Sequence, residues 1–396
     1  MTYNRFELDA RIQAVLANQR DAIAQIVMKM HANPEVGFEE VKACGWLTEY
    51  LRQNGFAVEQ PYTGVYTAFK ATIGSGSPTL AILAEYDALP SIGHACGHHL
   101  SAGLAVGAGV ALRDIIKEKR CGTLVVMGTP AEEGGGGKVV IIKNGGFDGI
   151  DASVMMHASS KYCESTGGLG IKRYSAIFHG VSSHAAASPE RGKNALDGVL
   201  FLFNGINAWR QHLPEDTRVH GIITDGGIKP NIVPDLAACV FYLRAPDEAT
   251  QDMMGERFKQ IAQGAALMSD TTVEVAESPE TEYYKPRHRN PVLDAAFVEL
   301  MDEFGLPRKK DPKPGRGSSD IGNVKSIMPA VHPYFSICDE DISLHSVAFA
   351  EAGSKPRAID GMITGARITA NVVARYFLDT EFRNAVHTSF KDQKKS

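Results

Sequence analysis

The segment at 171–276 constrains the fold more than any other part of this 396-residue chain. Its apolar runs follow the order strand, helix, strand, strand, helix, strand, which is the split pattern of ferredoxin-like domains. This pattern interrupts a different rhythm, in which single strands alternate with helices. A chain of this length is also long for one hydrophobic core. The sequence therefore predicts a ferredoxin-like α+β domain inserted into a larger domain.

The flanking segments predict an α/β domain whose sheet is covered by helices on both faces. Short apolar runs predict its strands at 65–73, 79–84, 123–129, 152–156 and 331–337. Helical spacing predicts its helices at 8–56 (with a break at Asn33-Pro34), 100–118, 291–304 and 358–376. We place this discontinuous domain at 1–169 and 286–396, and the inserted domain at 170–285.

Charge and cysteine content argue against several classes of protein. A net charge of −5 spread along the chain gives no reason to expect nucleic-acid binding. No run of about 18 apolar residues is present to span a membrane, and the N-terminus lacks the apolar core of a signal peptide. The six cysteines show no disulfide-scaffold spacing, so we expect reduced thiols and a cytoplasmic protein.

Residues 93–99, Gly-His-Ala-Cys-Gly-His-His, form the first cluster of chemically capable side chains. Three histidines and the Cys96 thiol fall between a predicted strand and a Gly/Ala-rich helix. Thiolate and imidazole are ligands that borderline-soft metals prefer, and strand ends are where α/β proteins build sites. A histidine considered alone is more often a satisfied polar group than a ligand. The cluster therefore needs support from elsewhere in the chain.

A pair of adjacent carboxylates, Glu132 and Glu133, follows the predicted strand at 123–129 and precedes four glycines. Adjacent side chains leaving a strand point in different directions. One carboxylate can therefore bind a metal while its neighbour reaches a water on that metal, and the glycines allow close backbone approach. The alternative is a solvated turn with two surface acids.

Two further histidines complete a possible set of metal ligands. His157 ends the predicted strand at 152–156, and His345 lies in an acidic loop. The ligand candidates at strand ends or in loops are then Cys96, His98, Glu133, His157 and His345. Five ligands exceed one tetrahedral site that keeps an open position, so the sequence makes two metals that share a ligand plausible.

These motifs, in this order, resemble the aminoacylase/carboxypeptidase-G-type superfamily of co-catalytic metallohydrolases. Within it they are most similar to the amidohydrolase branch, near aminobenzoyl-glutamate hydrolase subunits and dipeptidases acting on basic β-alanyl dipeptides. The resemblance covers nearly the whole chain and implies a catalytic metallopeptidase domain built on a mixed sheet. The motifs that carry it lie at 93–98, 128–138, 180–199, 225–235, 317–324 and 344–346.

The resemblance implies a role for each candidate ligand. Cys96 would bridge two metal ions in place of the aspartate used elsewhere in the superfamily. His98 and His157 would complete one site, and Glu133 and His345 would complete the other. The ligand types alone do not separate zinc, manganese and cobalt.

By the same resemblance Glu132 is the general base. In the mechanism that this implies, Glu132 would take a proton from a metal-activated water as that water attacks the carbonyl carbon, and would return the proton to the leaving amine. Asp87 matches a family aspartate that orients the metal cluster; a strand-end cap is the alternative.

The inserted domain also carries residues that match functional positions. His184 matches a histidine that reaches the other subunit's active site across a dimer, where an imidazole could stabilise the developing oxyanion. The resemblance thus implies a homodimer that forms through the inserted domain, which would also act as a lid.

Five further residues are expected to bind substrate. Asn231 and Arg244 match substrate-binding positions, and a guanidinium can bind a carboxylate through two hydrogen bonds. Gly317, Ser318 and Ser319 offer backbone and hydroxyl donors. The alternatives are a surface ion pair for Arg244 and a helix N-cap for the two serines.

One position departs from the family pattern. The nearest relatives have asparagine, and other branches aspartate, where this chain has His99. A third histidine there could tune the metals, change the substrate or simply be solvated. The departure bears on the substrate rather than on the metal site.

The sequence predicts a metal-dependent hydrolase of an amide bond in a small dipeptide or an N-acyl or N-aroyl amino acid with a free carboxylate. A narrower alternative keeps the metals but cleaves a non-peptide C–N bond such as that of an aryl amine. A second is a thiol hydrolase with Cys96 as nucleophile, which leaves the carboxylate pair without a role. A third is a binding protein without catalysis, against which an intact Glu132 argues.

Overall fold

The computed structural model describes residues 4–279, 283–310, 315 and 317–393. The chain divides into two compact units, one of Met1–Gly167, His288–Gly315 and Asn323–Ser396, and one of Gly168–Arg287 and Arg316–Gly322. The sequence-based division placed 317–322 in the larger domain. In the structure this segment contacts the insert, because Arg287 donates to the Gly317 carbonyl and Arg244 donates to Ser318 Oγ.

The strands of the described chain are β1 (Ala57–Glu59), β2 (Phe69–Gly74), β3 (Thr79–Ala84), β4 (Thr123–Gly128), β5 (Ala152–Val154), β6 (His157–Ser159), β7 (Gly170–His179), β8 (Arg218–Asp225), β9 (Leu236–Ala245), β10 (Thr272–Glu277), β11 (Ala330–Val331) and β12 (Tyr334–Ser336). The helices are α1 (Arg5–Ala32), α2 (Val41–Gln53), α3 (His98–Lys119), α4 (Gly137–Lys143), α5 (Ala195–Trp209), α6 (Glu248–Met268), α7 (Pro291–Glu303), α8 (Ile321–Ile327), α9 (Val347–Ala352), α10 (Pro356–Leu378) and α11 (Thr380–Gln393). Of these, α4, α9 and α11 were not predicted, and α8 was expected only under the alternative in which Ser318 and Ser319 form a helix N-cap.

The first unit is built on a mixed six-stranded sheet in the order β1-β2-β4-β3-β5-β11. The strand β3 lies parallel to both β4 and β5, and β5 is parallel to β11. The strands β1 and β2 form an antiparallel extension at the β4 side. Because β3 and β4 run the same way, the loops that follow them leave the sheet at one edge. The predicted α/β class with a mixed sheet is confirmed.

The helix α3 is central to the core of this unit. It packs against α1, α10 and the sheet. Every residue from His98 to Leu112 is buried, on all faces of the helix. Among the described residues it is also the one helix long and apolar enough to cross a membrane, but 89% of that apolar window is buried inside the fold. Its apolar composition is therefore accounted for by packing.

The structure corrects the predicted strand at 152–156. The strand β5 ends at Val154, and His157 opens β6, which pairs in parallel with β12 in a separate two-stranded sheet. The predicted strand at 331–337 is divided in the same way into β11 and β12. Pro333 lies at that division: it has no N–H to donate, so one hydrogen bond between the strands is missing there, although its carbonyl still accepts from the His157 N–H at 2.9 Å.

The second unit is an antiparallel four-stranded sheet in the order β10-β7-β9-β8, with α5 and α6 packed on it. It has a hydrophobic core of its own, formed by side chains that alternate along β7 and β9. The chain order strand, helix, strand, strand, helix, strand confirms the predicted ferredoxin-like insert. The strand β8 lies at the edge of this sheet, and most of its residues are exposed.

Close packing around α3 predicts that Gly103→Ala lowers the free energy of unfolding. A Cβ at Gly103 would lie closer than 3.0 Å to both Val27 and Met362. Overpacking costs about 1–3 kcal/mol, which outweighs the gain of about 1 kcal/mol in helix propensity. The matched control is Gly45→Ala in α2, where a Cβ meets nothing within 4 Å and stability should rise. Chemical denaturation measures both, and equal stabilisation by the two changes would contradict the prediction.

Candidate metal centre and active site

Two groups of potential ligand atoms overlap at Cys96 in the first unit. One is formed by Cys96, His98 and His157, and within it the ligand atoms all lie within 4.8 Å of one another. The other is formed by Cys96, Glu133 and His345 under the same limit. The Cys96 Sγ lies 3.6 Å from His157 Nε2. All five sequence-predicted ligands are therefore brought together, with the thiol common to both groups.

The local backbone explains how Cys96 and His98 reach the same place. Gly97 separates them and adopts a left-handed conformation with φ 79°, just before α3 begins at His98. A Cβ at Gly97 would lie 2.6 Å from Ala158 Cβ, so glycine is required both by conformation and by space. The sharp turn lets the thiol and the first helical imidazole face one point.

Asp87 ties two of the ligand-bearing segments together. Its Oδ1 accepts a hydrogen bond from His98 Nδ1 at 2.9 Å, and its Oδ2 accepts from the Glu133 backbone N–H at 2.9 Å. Burial by itself would raise the pKa of Asp87, but the adjacent His98 and these hydrogen bonds bring it down to about 2. The carboxylate thereby fixes which His98 nitrogen faces the ligand group, namely Nε2.

The loop after β4 presents Glu132 and Glu133 in different directions. The backbone has a positive φ before the pair, at Ala131 (60°), and again after it, at Gly134 and Gly136. The Glu133 Oε1 lies 2.9 Å from His345 Nε2. A Glu132 oxygen lies within 4.8 Å of the ligand atoms of both His98 and Glu133. Glu132 thus borders the ligand groups without belonging to either group that contains the thiol.

The donor set fits a divalent metal pair on observations from this structure. His98 Nε2 is fully buried and has no hydrogen-bond partner among the described residues. A buried polar atom without a partner is costly, and a cation at that point would satisfy it. Thiolate, imidazole and carboxylate together are ligands that zinc, manganese or cobalt accept.

His99, the departure from the family pattern, faces away from the ligand groups. It is fully buried in the first turns of α3, and its Nε2 lies 3.2 Å from the Gly353 carbonyl oxygen. Its ring lies 4.6 Å from the ring of His94 and 5.1 Å from that of His31. Burial and the neighbouring histidines lower the pKa of His99 far below its usual value. His99 therefore packs in a histidine cluster behind the site.

In the second unit, His184 and Asn231 lie on adjoining exposed loops. The His184 Nδ1 accepts hydrogen bonds from the Ala186 and Ala187 backbone N–H groups at 3.2 and 3.1 Å. The Asn231 carbonyl accepts from Ala185 N–H. With Nδ1 used as an acceptor, the neutral imidazole carries its proton on Nε2. The exposed side of His184 is therefore a hydrogen-bond donor.

Arg244 is partly buried and bonded to neutral groups rather than in a surface ion pair. Its guanidinium donates to Ser318 Oγ at 2.8 Å and to His220 Nε2 at 3.2 Å, and burial lowers its pKa. Ser319 Oγ accepts from the Ile321 N–H at the start of α8. Ser318 is thus hydrogen-bonded to Arg244. Ser319 instead accepts a hydrogen bond at the N-terminus of α8, in keeping with the helix-capping role that was the alternative for both serines.

Three buried side chains near the site were not singled out in the sequence. Glu85 Oε1 accepts from Lys138 Nζ at 2.5 Å, and both side chains are fully buried. Glu40 is also fully buried, and its Oε1 accepts from the Ala131 N–H at 2.8 Å, next to Glu132. An acid directly after the apolar strand β3 was a usable signal for Glu85. Glu40 gives no such signal.

A family model described as Peptidase family M20/M25/M40 matches residues 81–371. The chain belongs to this family. It is 34% identical to an Xaa-Arg dipeptidase of Mus musculus over 369 residues, covering 89% of this chain and 84% of that protein. It is 33% identical to one of the subunits of the p-aminobenzoyl-glutamate hydrolase of Escherichia coli, covering 75% of this chain and 65% of that protein.

Solved structures agree with the M20 fold. A putative aminohydrolase from Staphylococcus aureus matches with a TM-score of 0.79 and 21% identity, covering 93% of this chain and all of that one. A dinuclear metal-binding peptidase of the M20 family from Bacillus subtilis matches with a TM-score of 0.67 and 17% identity, covering 90% and 99%. The family assignment confirms the predicted resemblance and the predicted hydrolase class.

The buried Glu40 predicts a pH-dependent difference in stability between wild type and Glu40→Gln. Burial raises the pKa of Glu40 from 4.5 to about 7. Its contribution to stability is therefore fully present below about pH 4.5 and is lost as pH rises through 7. At roughly 1.36 kcal/mol per pKa unit the loss is about 3 kcal/mol. The variant does not carry this titrating carboxyl. The unfolding free energy of Glu40→Gln minus that of wild type should therefore increase by about that amount between pH 4.5 and pH 8.

Urea unfolding of both metal-free proteins at the two pH values measures this difference. The matched control is Glu39→Gln, because Glu39 is exposed and its carboxylate stays solvated on folding. A difference between Glu40→Gln and wild type that does not change with pH would show that the carboxyl titrates normally.

Proposed function

We propose that this chain hydrolyses the amide bond of a small dipeptide or of an N-acyl or N-aroyl amino acid, using two divalent metal ions. The observation that carries the proposal is the pair of ligand groups that share Cys96, with Glu132 beside them. Binding of metal alone requires no unassigned carboxylate next to the ligands. A hydrolase requires one, as a base for water.

The proposed ligands divide as the two groups do. Cys96, His98 and His157 would hold one ion, and Cys96, Glu133 and His345 the other. When bound, such ions supply Lewis acidity toward a carbonyl oxygen and make water more acidic. Zinc, manganese and cobalt all suit these donors.

The chain's own residues supply the proton transfers and the orientation. Glu132 takes a proton from the attacking water and passes it to the nitrogen of the leaving amine. Asp87 keeps His98 in the tautomer that presents Nε2 to the ligand group, through the contact at 2.9 Å. Glu40 holds the backbone directly before Glu132 and thereby limits where the base can move.

The substrate carboxylate would be bound by the inserted unit. Arg244 offers a guanidinium that is already held by Ser318 and His220, so little conformational freedom is lost on binding. Asn231 and Gly317, which are exposed in the same unit, would add hydrogen bonds, and the buried Ser319 would add its hydroxyl as a donor. The two curated relatives above are named for Xaa-Arg dipeptides and p-aminobenzoyl-glutamate, and both compounds carry a free carboxylate next to the amide.

The Cys96–His157 contact at 3.6 Å favours one competing function, a thiol hydrolase in which His157 activates Cys96. In that case the protein would work without metal, and loss of Glu132 would matter little. Chelator treatment separates the two functions, because a thiol hydrolase keeps its activity and the proposed metallohydrolase loses it until metal is restored.

The proposal predicts that Glu132→Gln lowers turnover by about a hundredfold or more, the scale expected for a general base, while the metal content stays at wild-type level. The matched control is Glu133→Gln, which should lose both activity and one ion. The assay follows amine release from a panel of dipeptides and N-acyl amino acids, with elemental analysis of each protein. Turnover of Glu132→Gln within about threefold of wild type would remove Glu132 from the mechanism.

We further propose a homodimer that forms through the inserted unit. The edge strand β8 and the turn after it expose three isoleucines, at 66% for Ile222, 42% for Ile223 and 86% for Ile228. Apolar side chains on a free sheet edge are a typical surface for pairing, and two-fold pairing of identical surfaces is the commonest closed assembly. In such a dimer, His184 of one chain would donate from Nε2 to the oxyanion formed at the partner's site.

Mixing two inactive variants tests this shared site. Glu132→Gln protein and His184→Ala protein should regain activity when their subunits exchange, because a mixed dimer holds one site with both residues intact. Each variant exchanged with itself is the control and should stay inactive. If exchange is demonstrated with labelled subunits and activity stays at background, His184 does not serve the partner's site.

A further inference from the structure

Glu85 has one buried carboxylate oxygen that makes no hydrogen bond to any described residue. The side chain follows β3 and is fully buried. Its Oε1 accepts from Lys138 Nζ, but its Oε2 has no hydrogen-bond partner among the described residues. A buried carboxylate oxygen without a partner carries a large desolvation cost. An additional group is therefore expected at Oε2.

Among the neighbours of Oε2 are the nitrogens that face the first ligand group, and a Glu85 oxygen also lies within 4.8 Å of a carboxylate oxygen of Glu132. Glu85 Oε2 lies 3.6 Å from His98 Nε2 and 4.0 Å from His157 Nε2. His98 Nε2 is itself buried without a hydrogen-bond partner among the described residues. Both separations exceed the 2.7–3.2 Å of an N–H···O hydrogen bond. They instead suit donor atoms arranged around a common central cation.

We propose that Glu85 Oε2 is a fourth protein ligand to the ion held by Cys96, His98 and His157. This inference rests on the proposed metal centre. Lys138 is the positioning residue: it binds Oε1, turns Oε2 toward the two imidazoles and balances the additional negative charge. The donor set of this ion is then one thiolate, two imidazoles and one carboxylate.

The fourth ligand makes the two metal positions unequal. Four protein ligands close a tetrahedral zinc or cobalt site in the manner of structural sites, whereas three leave a position open. The ion at Cys96, Glu133 and His345 keeps three protein ligands and an open position. The ion beside Glu85 is therefore retained more tightly, and the other one exchanges and is exposed to substrate.

Cobalt titration of metal-free protein tests the proposal without using activity. Wild type should bind two ions per chain, the first with the intense visible absorption of four-coordinate cobalt. In Glu85→Gln that first affinity should fall by at least about a hundredfold and the absorption should weaken, since loss of an outer-shell partner alone costs about 10–100-fold.

Two further variants separate ligation from simple ion pairing. Glu85→Gln/Lys138→Met removes both charges, so no buried cation is left alone, yet it should bind the first ion as weakly as Glu85→Gln. The matched control is Asp294→Asn, which removes another buried carboxylate from its partner, Arg289, at 3.0 Å. That control should bind both ions as wild type does.

The outcomes are distinct. If Glu85→Gln/Lys138→Met binds both ions with the affinity and the absorption spectrum of wild type, Glu85 is not a ligand. Wild type that binds fewer than two ions would overturn the proposed metal centre itself. If the Glu85 variants do not fold, a crystal structure of zinc-loaded wild type decides: Oε2 at about 2.0–2.2 Å from zinc supports ligation, and Oε2 outside the coordination sphere refutes it.

Discussion

The carboxylate of Asp87 is the contact on which both halves of the candidate metal centre depend. One oxygen accepts from His98 at the start of α3, and the other accepts from the backbone of Glu133 in the loop after β4. The segments that carry these ligands are separated by more than thirty residues of chain. Because its pKa is held near 2, Asp87 is ionised at neutral pH, and its two hydrogen bonds fix the start of α3 and the loop after β4 relative to each other.

Burial makes the charge balance of this centre demanding. Glu85, Asp87 and Cys96 are all buried, and the paired Lys138 is buried with them. Unpaired charges are costly in such surroundings, so the side chains gain most of their stabilisation from one another and from whatever cation they hold. The candidate ligands lie beside strand ends and at the start of α3, where the close-packed core resists small displacements.

The two units contribute different chemistry. The first unit brings the candidate ligands and the proposed base together at one edge of a mixed sheet. The second unit has its own core and presents a guanidinium at Arg244 and a hydrogen-bond donor at His184. The short segment at 317–322 belongs by its contacts to the second unit, although it follows helix α7 of the first. The proposed substrate-binding residues therefore lie far in the sequence from the candidate metal ligands.

The sequence by itself determined the fold class and the five ligand candidates, because alternating strands and helices bring the ends of parallel strands to one edge. It could not determine that His157 opens a second small sheet, since that sheet exists only through the pairing of β6 with β12, a strand distant in the chain. It also missed Glu85, Lys138 and Glu40. Their importance comes from burial beside residues distant in the chain, and burial of a charged side chain is decided by tertiary packing, which local sequence patterns do not record.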